Sequence, residues 1–190
     1  MSNTTSSSEL IQALSDLHQR YQAAYADVDR QPTTEYIDEW QAPCYASEVR
    51  YGEVAWRPVL QQPKADFSGV EHGLEMPLNA QVKAFYGQFF AADLYVTVDT
   101  HPVVLSQVMC SEDLDRLQRN LIAHVLMKRR LGQPETLFIG TGEESEDLII
   151  SVDNATGVVG LEYAGKPQHA ELAPNLTAFL HQCQARVVAD

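Results

Sequence analysis

The chain has 190 residues, enough for one domain with a sizeable core, and its 45% hydrophobic and 21% charged residues are those of an ordinary water-soluble globule. Thirteen basic residues face 26 acidic ones, a formal net charge of -13, so nucleic-acid phosphates and anionic lipid headgroups are repelled and basic partners attracted. No apolar run approaches the roughly 20 residues of a membrane-spanning helix, and the start, MSNTTSSSEL, lacks the basic and apolar regions of a secretory signal.

Residues 1–8 are Ser/Thr-rich and are expected to form a flexible extension, with one domain over residues 9–190. Ser6 and Glu9 have the spacing of a capping box. In the helix that follows, Leu10, Leu14, Leu17, Tyr21, Ala24, Tyr25 and Val28 share one stripe. Between residues 30 and 60 the periodicity breaks down, with Pro32, Pro43 and Pro58 as punctuation and a strand expected over 49–57, anchored by Trp56. Residues 61–76 carry Pro and Gly and read as a loop. Pro77 is placed to open a helix, along which Leu78, Val82, Phe85, Tyr86 and Phe89 recur at helical spacing.

Residues 93–99 alternate strictly, Leu94, Val96 and Val98 against Tyr95, Thr97 and Asp99, and a turn at residues 100–102 leads to a second strand over 103–109. The helix from Ser111 is the most completely specified. Ser111 is expected to cap it; Glu112, Asp113 and Asp115 suit the positive end of its dipole, and Lys128, Arg129 and Arg130 the negative end. Leu114, Leu117, Leu121, Ile122 and Val125 form its apolar stripe, and Gly132 with Pro134 ends it. Residues 136–139 then read as a central strand. An acidic loop (Glu143, Glu144, Glu146, Asp147) precedes a hairpin over 148–152 and 158–163, and a last helix opens at Pro174. This order predicts an α+β fold: one domain, a largely antiparallel central sheet, and several helices packed on it.

Enzyme motifs are absent: there is no GxSxG, no HExxH and no phosphate loop ending in Lys-Ser/Thr. Gly140-Thr141-Gly142 follows a strand, but Glu143 and Glu144 beside it would repel a phosphate. The six histidines show no metal-ligand spacing, and Cys44, Cys110 and Cys183 suit neither a disulfide framework nor a zinc site. No catalytic residue, metal or cofactor is expected. What exceeds background is acidity at the ends of elements, where a fold can gather carboxylates around one depression and focus their field.

The segment order resembles the Syd family of SecY-interacting proteins, within the wider SUKH superfamily. The resemblance lies in Phe85-Tyr86-Gly87-Gln88-Phe89-Phe90 leading to Asp93, in Ser111-Glu112-Asp113, in Gln118-Arg119-Asn120-Leu121-Ile122 with His124, and in Lys128-Arg129-Arg130-Leu131. It continues through Pro134-Glu135-Thr136-Leu137-Phe138-Ile139, Ile150-Ser151-Val152 with Gly157, and Leu172-Ala173-Pro174-Asn175-Leu176 with Phe179-Leu180. Pro43-Cys44 and Trp56 look like family positions in the first third. The resemblance implies a cytosolic protein held loosely at the cytoplasmic face of the inner membrane through SecY, the channel subunit of the Sec translocase. It implies a concave acidic surface docked on SecY's basic cytoplasmic loops, monitoring or restraining abnormal or uncomplexed SecY. Asp93, Glu112, Asp113, Glu143 and Glu144 fall on matching stretches and are the candidate groove residues; Glu146 joins them on charge alone. The alternative is a SUKH-type immunity protein that binds a basic toxin.

Overall fold

The computed structural model describes residues 2–189, with side chains from Ser7 onward. In chain order its elements are α1 (Ser2–Ala26), the short strands β1 (Thr33–Glu35), β2 (Glu53–Ala55) and β3 (Val59–Leu60), α2 (Ser68–Leu74) and α3 (Ala80–Gly87). There follow β4 (Phe89–Phe90), β5 (Leu94–Val98), β6 (His101–Leu105), α4 (Ser111–Arg130), β7 (Thr136–Gly142), β8 (Leu148–Asp153), β9 (Val159–Tyr163) and β10 (Gln168–Ala173). The chain closes with α5 (Leu176–Gln182) and β11 (Gln184–Ala185).

Seven strands form one antiparallel sheet in the order β10-β9-β8-β7-β6-β5-β11, with β7 at its centre. β5 to β10 is a plain meander, and β11 returns to cover the free edge of β5. The fold is therefore α+β, as the segment order predicts. β5 buries Leu94, Val96 and Val98 and leaves Tyr95 and Thr97 half-exposed. Its buried face joins Leu105, Leu137, Ile150 and Val152 in one core with the stripes of α1, α3 and α5, among them Leu14, Tyr21, Phe85 and Phe179. Gly140 is required where β7 crosses β6, because a Cβ there would lie 2.3 Å from the Val104 carbonyl oxygen. A bulge beside it leaves the Phe138 carbonyl to accept the Tyr86 hydroxyl, at 2.9 Å.

Charged groups pin α4 to the sheet. Lys128, with no exposed surface, donates to the Glu162 carboxylate (3.3 Å) and to the Lys166 carbonyl (2.7 Å). Glu162, also without exposed surface, accepts from the Thr136 and Ser151 hydroxyls, and His124 Nε2 lies 2.9 Å from the Thr136 oxygen. Burial pushes the Glu162 pKa up, but His124, Ser151, Thr136 and the Lys128 charge together outweigh it and hold the carboxyl below its ordinary range. Lys128 is thus a core residue; dipole compensation describes only Arg129 and Arg130.

Several local expectations need correction. α1 runs continuously from Ser2, so no cap at Ser6 begins it; the Ser6 side chain and most of the 1–8 extension lie outside the residues with described side chains. α1 ends at Ala26, where Asp29 takes a positive φ of 56°, so Val28 leaves the stripe and is exposed. The strand expected over 49–57 shrinks to β2, although Trp56 is buried as anticipated. The loop expected over 61–76 contains α2, whose Val70 and Leu74 lie one helical turn apart in the core, with Asp66 accepting the Ser68 N–H. α3 starts after Pro77, where Asn79 accepts the Gln81 N–H. α4 has Cys110 at its cap position, and Ser111 is its first helical residue; Asp113 reaches back to the Met109 N–H instead. Its end is as read: Gly132 has a φ of +65°, and Gly132 and Gln133 donate to the Arg129 and Lys128 carbonyls. Pro102 lies within β6, and the strand stops at Leu105. The cap of α5 is Asn175, not Pro174.

Candidate binding groove

A concavity of about 370 Å³ opens beside the start of β5. Five elements (α1, β1, β2, β5 and α4), the segment after β6 and the C-terminal segment converge on it. β5 supplies Tyr95, with Ala92 and Asp93 just before it; the segment after β6 supplies Gln107 and Met109; α4 supplies Asp113 and Arg116. The β1–β2 ribbon contributes Thr33, Thr34, Glu35 and Glu53, and Tyr25 and Arg30 close it from the end of α1. Four carboxylates therefore meet two guanidinium groups.

The carboxylates differ in environment. Asp113 is buried, and Arg116 clamps one of its oxygens through Nε at 3.1 Å and Nη2 at 2.7 Å while stacking on the Trp40 ring. Asp93 is reachable by solvent, yet sits low in the depression with protein around it. One of its oxygens accepts the Gln107 N–H at 2.8 Å, and no other described residue is hydrogen-bonded to it. Desolvation, with the Asp113 charge adding to it, raises its pKa to about 6 against the pull of the Gln107 N–H and Arg116. Ionised Asp93 is exposed and holds one backbone donor, which leaves the rest of its carboxylate open to a cation.

Glu35 and Glu53 are direct cross-strand partners in the β1–β2 ribbon. Like charges in that position repel and cost stability, so their joint presence at a groove rim favours a cationic occupant. Sequence reading missed both, because three-residue strands are too short to show an alternation; the Thr33-Thr34 pair and the Tyr51-Gly52 turn were the only signals. Tyr51 and Gly52 both have positive φ, 54° and 84°, and the Tyr51 side chain stands fully in solvent at the hairpin tip.

The sequence model described as Syd protein (SUKH-2) matches residues 11–185. The chain is also 41% identical over 157 residues to a Protein Syd of Idiomarina loihiensis, covering 83% of this chain and 86% of the relative. It is 34% identical over 176 residues to a Protein Syd of Pseudoalteromonas atlantica (91% and 94% covered), and 33% identical over 179 residues to one of Aliivibrio fischeri (94% and 97%). The chain belongs to the Syd family.

In this Syd-family chain the remaining candidate residues spread away from the groove. Glu112 is exposed on the first turn of α4 and does not line the concavity. Glu143 follows β7 and forms an ion pair with Arg186, whose guanidinium lies 5.8 Å from the Tyr95 ring centroid; through these two residues it adjoins the groove. Glu144 pairs with His101, raising that imidazole's pKa, and lines a separate apolar cavity of about 120 Å³ with Pro102, Leu148 and Leu161. Glu146 is exposed in the loop before β8. The groove of this chain thus gathers Asp93 and Asp113 with Glu35 and Glu53, while Glu143 adjoins it through Arg186 and Tyr95, and Glu144 and Glu146 lie away from it in the loop between β7 and β8. Among the described residues, no helix is long and apolar enough to cross a membrane.

Proposed function

We propose that this Syd-family chain is a binding protein rather than an enzyme, and that its acidic groove docks on the basic cytoplasmic loops of SecY. By that contact it monitors or restrains abnormal or uncomplexed SecY, and it reaches the cytoplasmic face of the inner membrane through SecY alone. The observation that carries this reading is the convergence of Asp93, Asp113, Glu35 and Glu53 on one depression, two of them paired across a ribbon against their own repulsion. A net charge of -13 steers basic segments toward such a surface and keeps anionic lipid away. The non-enzymatic part rests on the side chains available. Burial pushes the Cys44 and Cys183 thiols up to about 12 and Cys110 to about 11, so they are poor nucleophiles at neutral pH. Burial also lowers the His18 pKa to about 4, leaving that imidazole neutral.

The test is binding of wild type and a Glu35→Lys/Glu53→Lys variant to SecYEG in nanodiscs. The variant should bind on the order of tenfold or more weakly than wild type, with empty discs of the same lipid binding neither. Equal binding by both proteins would remove the groove from the interface. Binding to a basic toxin but not to SecYEG would turn the same groove to the immunity-protein role.

A further inference from the structure

The C-terminal segment fills part of the acidic surface with a cation of its own. β11 pairs with the edge of β5 through Gln184↔Thr97 and Ala185↔Val96, and the chain then runs on beside Tyr95. The Arg186 N–H donates to the Tyr95 carbonyl at 3.0 Å, the Val188 N–H to the Tyr25 hydroxyl at 3.3 Å, and Arg30 donates to the Val188 carbonyl at 2.9 Å. Val188 and Ala189 form part of the groove wall. Arg186 itself lies over the Tyr95 ring and pairs with Glu143, both partners being about one-third exposed at the side chain (29% and 35%).

We propose that Tyr95 and Glu143 form an arginine subsite, occupied in the free protein by Arg186 and vacated for an arginine of a basic polypeptide partner. The inference rests on the acidic-groove reading above and adds to it a residue-level address and an internal competitor. An aromatic face beside a carboxylate matches a guanidinium, which can stack and form ion-paired hydrogen bonds at once; an ammonium cannot do both as well. Arg186 is held there imperfectly, since its Nε is buried with no hydrogen-bond partner among the described residues. An incoming arginine whose Nε also found an acceptor would gain the hydrogen bond that Arg186 lacks. The side-chain contacts Arg186 gives up, a part-exposed ion pair and one stacking contact, are each weak. The Arg186 and Val188 N–H hydrogen bonds that open with them set the rest of the cost, so the competition is adjustable rather than absolute.

The probe is a hexa-arginine peptide, with hexalysine as its control, titrated against wild type and Arg186→Ala. Arg186→Ala should bind hexa-arginine about three- to tenfold more tightly than wild type, and a Glu143→Gln change in that background should remove the gain. Arg186→Lys, which keeps the charge and the fold but loses the stacked plane, should fall between the two. Amide hydrogen exchange adds an independent readout: the Arg186 and Val188 N–H groups should lose protection when hexa-arginine saturates wild type. If wild type binds the peptide but Arg186→Ala binds no more tightly, and the two amides stay protected, the subsite is overturned and the groove reading stands. If neither protein binds hexa-arginine at low salt, the groove reading falls and the subsite with it.

Discussion

Asp93 accepts one backbone N–H and lies close to the Asp113 carboxylate, in a place that water reaches but protein mostly surrounds. A carboxyl lifted to about 6 is partly protonated in mildly acidic solution and gains its charge as pH rises toward 7. For folding, the sign is unfavourable at neutral pH: the folded state binds the proton more tightly than the unfolded state, so stability falls as pH rises from about 4 through about 6. For binding a cation the sign reverses, because ionised Asp93 is what a basic side chain recognises. Affinity for SecYEG or for a basic peptide should therefore rise between pH 5 and pH 7, and Asp93→Asn should flatten that rise while weakening binding at pH 7. An unchanged pH profile in Asp93→Asn would place the titrating group elsewhere, His101 beside Glu144 being the other candidate. Asp93 was legible as a candidate because it stands at the end of an alternating strand and on a stretch that resembles the family. Its raised pKa was not, since that depends first on the desolvation the folded surroundings impose and then on Asp113, twenty residues along the chain.

At the scale of elements, legibility followed the length of the periodic signal. α4 carries twenty residues with dipole-matched ends and a glycine stop, and β5 alternates over five, so both were readable. β1, β3, β4 and β11, at two or three residues, carry no period of their own and exist only through their pairings. α2 was hidden because Gly69 and Gly73 look like loop punctuation, whereas its place is set by Val70 and Leu74 entering the core. Lys128 was misread for a related reason. It continues the buried row of Leu117, Leu121 and His124 at helical spacing, but its charge suggested the helix dipole. Its partner Glu162 sits on β9, 34 residues away, and no local pattern connects them. The two residues couple α4 to β9, two strands from the centre of the sheet. Lys128→Met should lower unfolding free energy by about 3–5 kcal/mol, because a buried carboxylate loses its countercharge. Combining it with Glu162→Gln should recover part of the loss. Urea denaturation of the two variants measures both effects, and a single-variant loss below about 1 kcal/mol would show that His124 and the hydroxyls of Thr136 and Ser151 suffice for Glu162.

On the scale of the whole molecule, the sheet order explains why the acidic residues gather where they do. β5, β6 and α4 meet at one end of the meander, and the β1–β2 ribbon and the C-terminal segment close over the same end. Composition alone announced a preference for basic partners; only the topology gathers four of 26 acidic residues into one depression. The distributed surplus of negative charge acts at longer range, raising the rate of encounter with a basic surface more than the lifetime of the complex. Both effects weaken with salt, because exposed charges more than about 8 Å apart are screened at physiological ionic strength. The most direct measurement is a titration of the protein against SecYEG nanodiscs and against empty discs of the same anionic lipid, from low to high salt. The acidic-groove account predicts binding to SecYEG discs only, with affinity falling steeply as salt rises. Affinity unchanged by salt, or equal on empty discs, would contradict it.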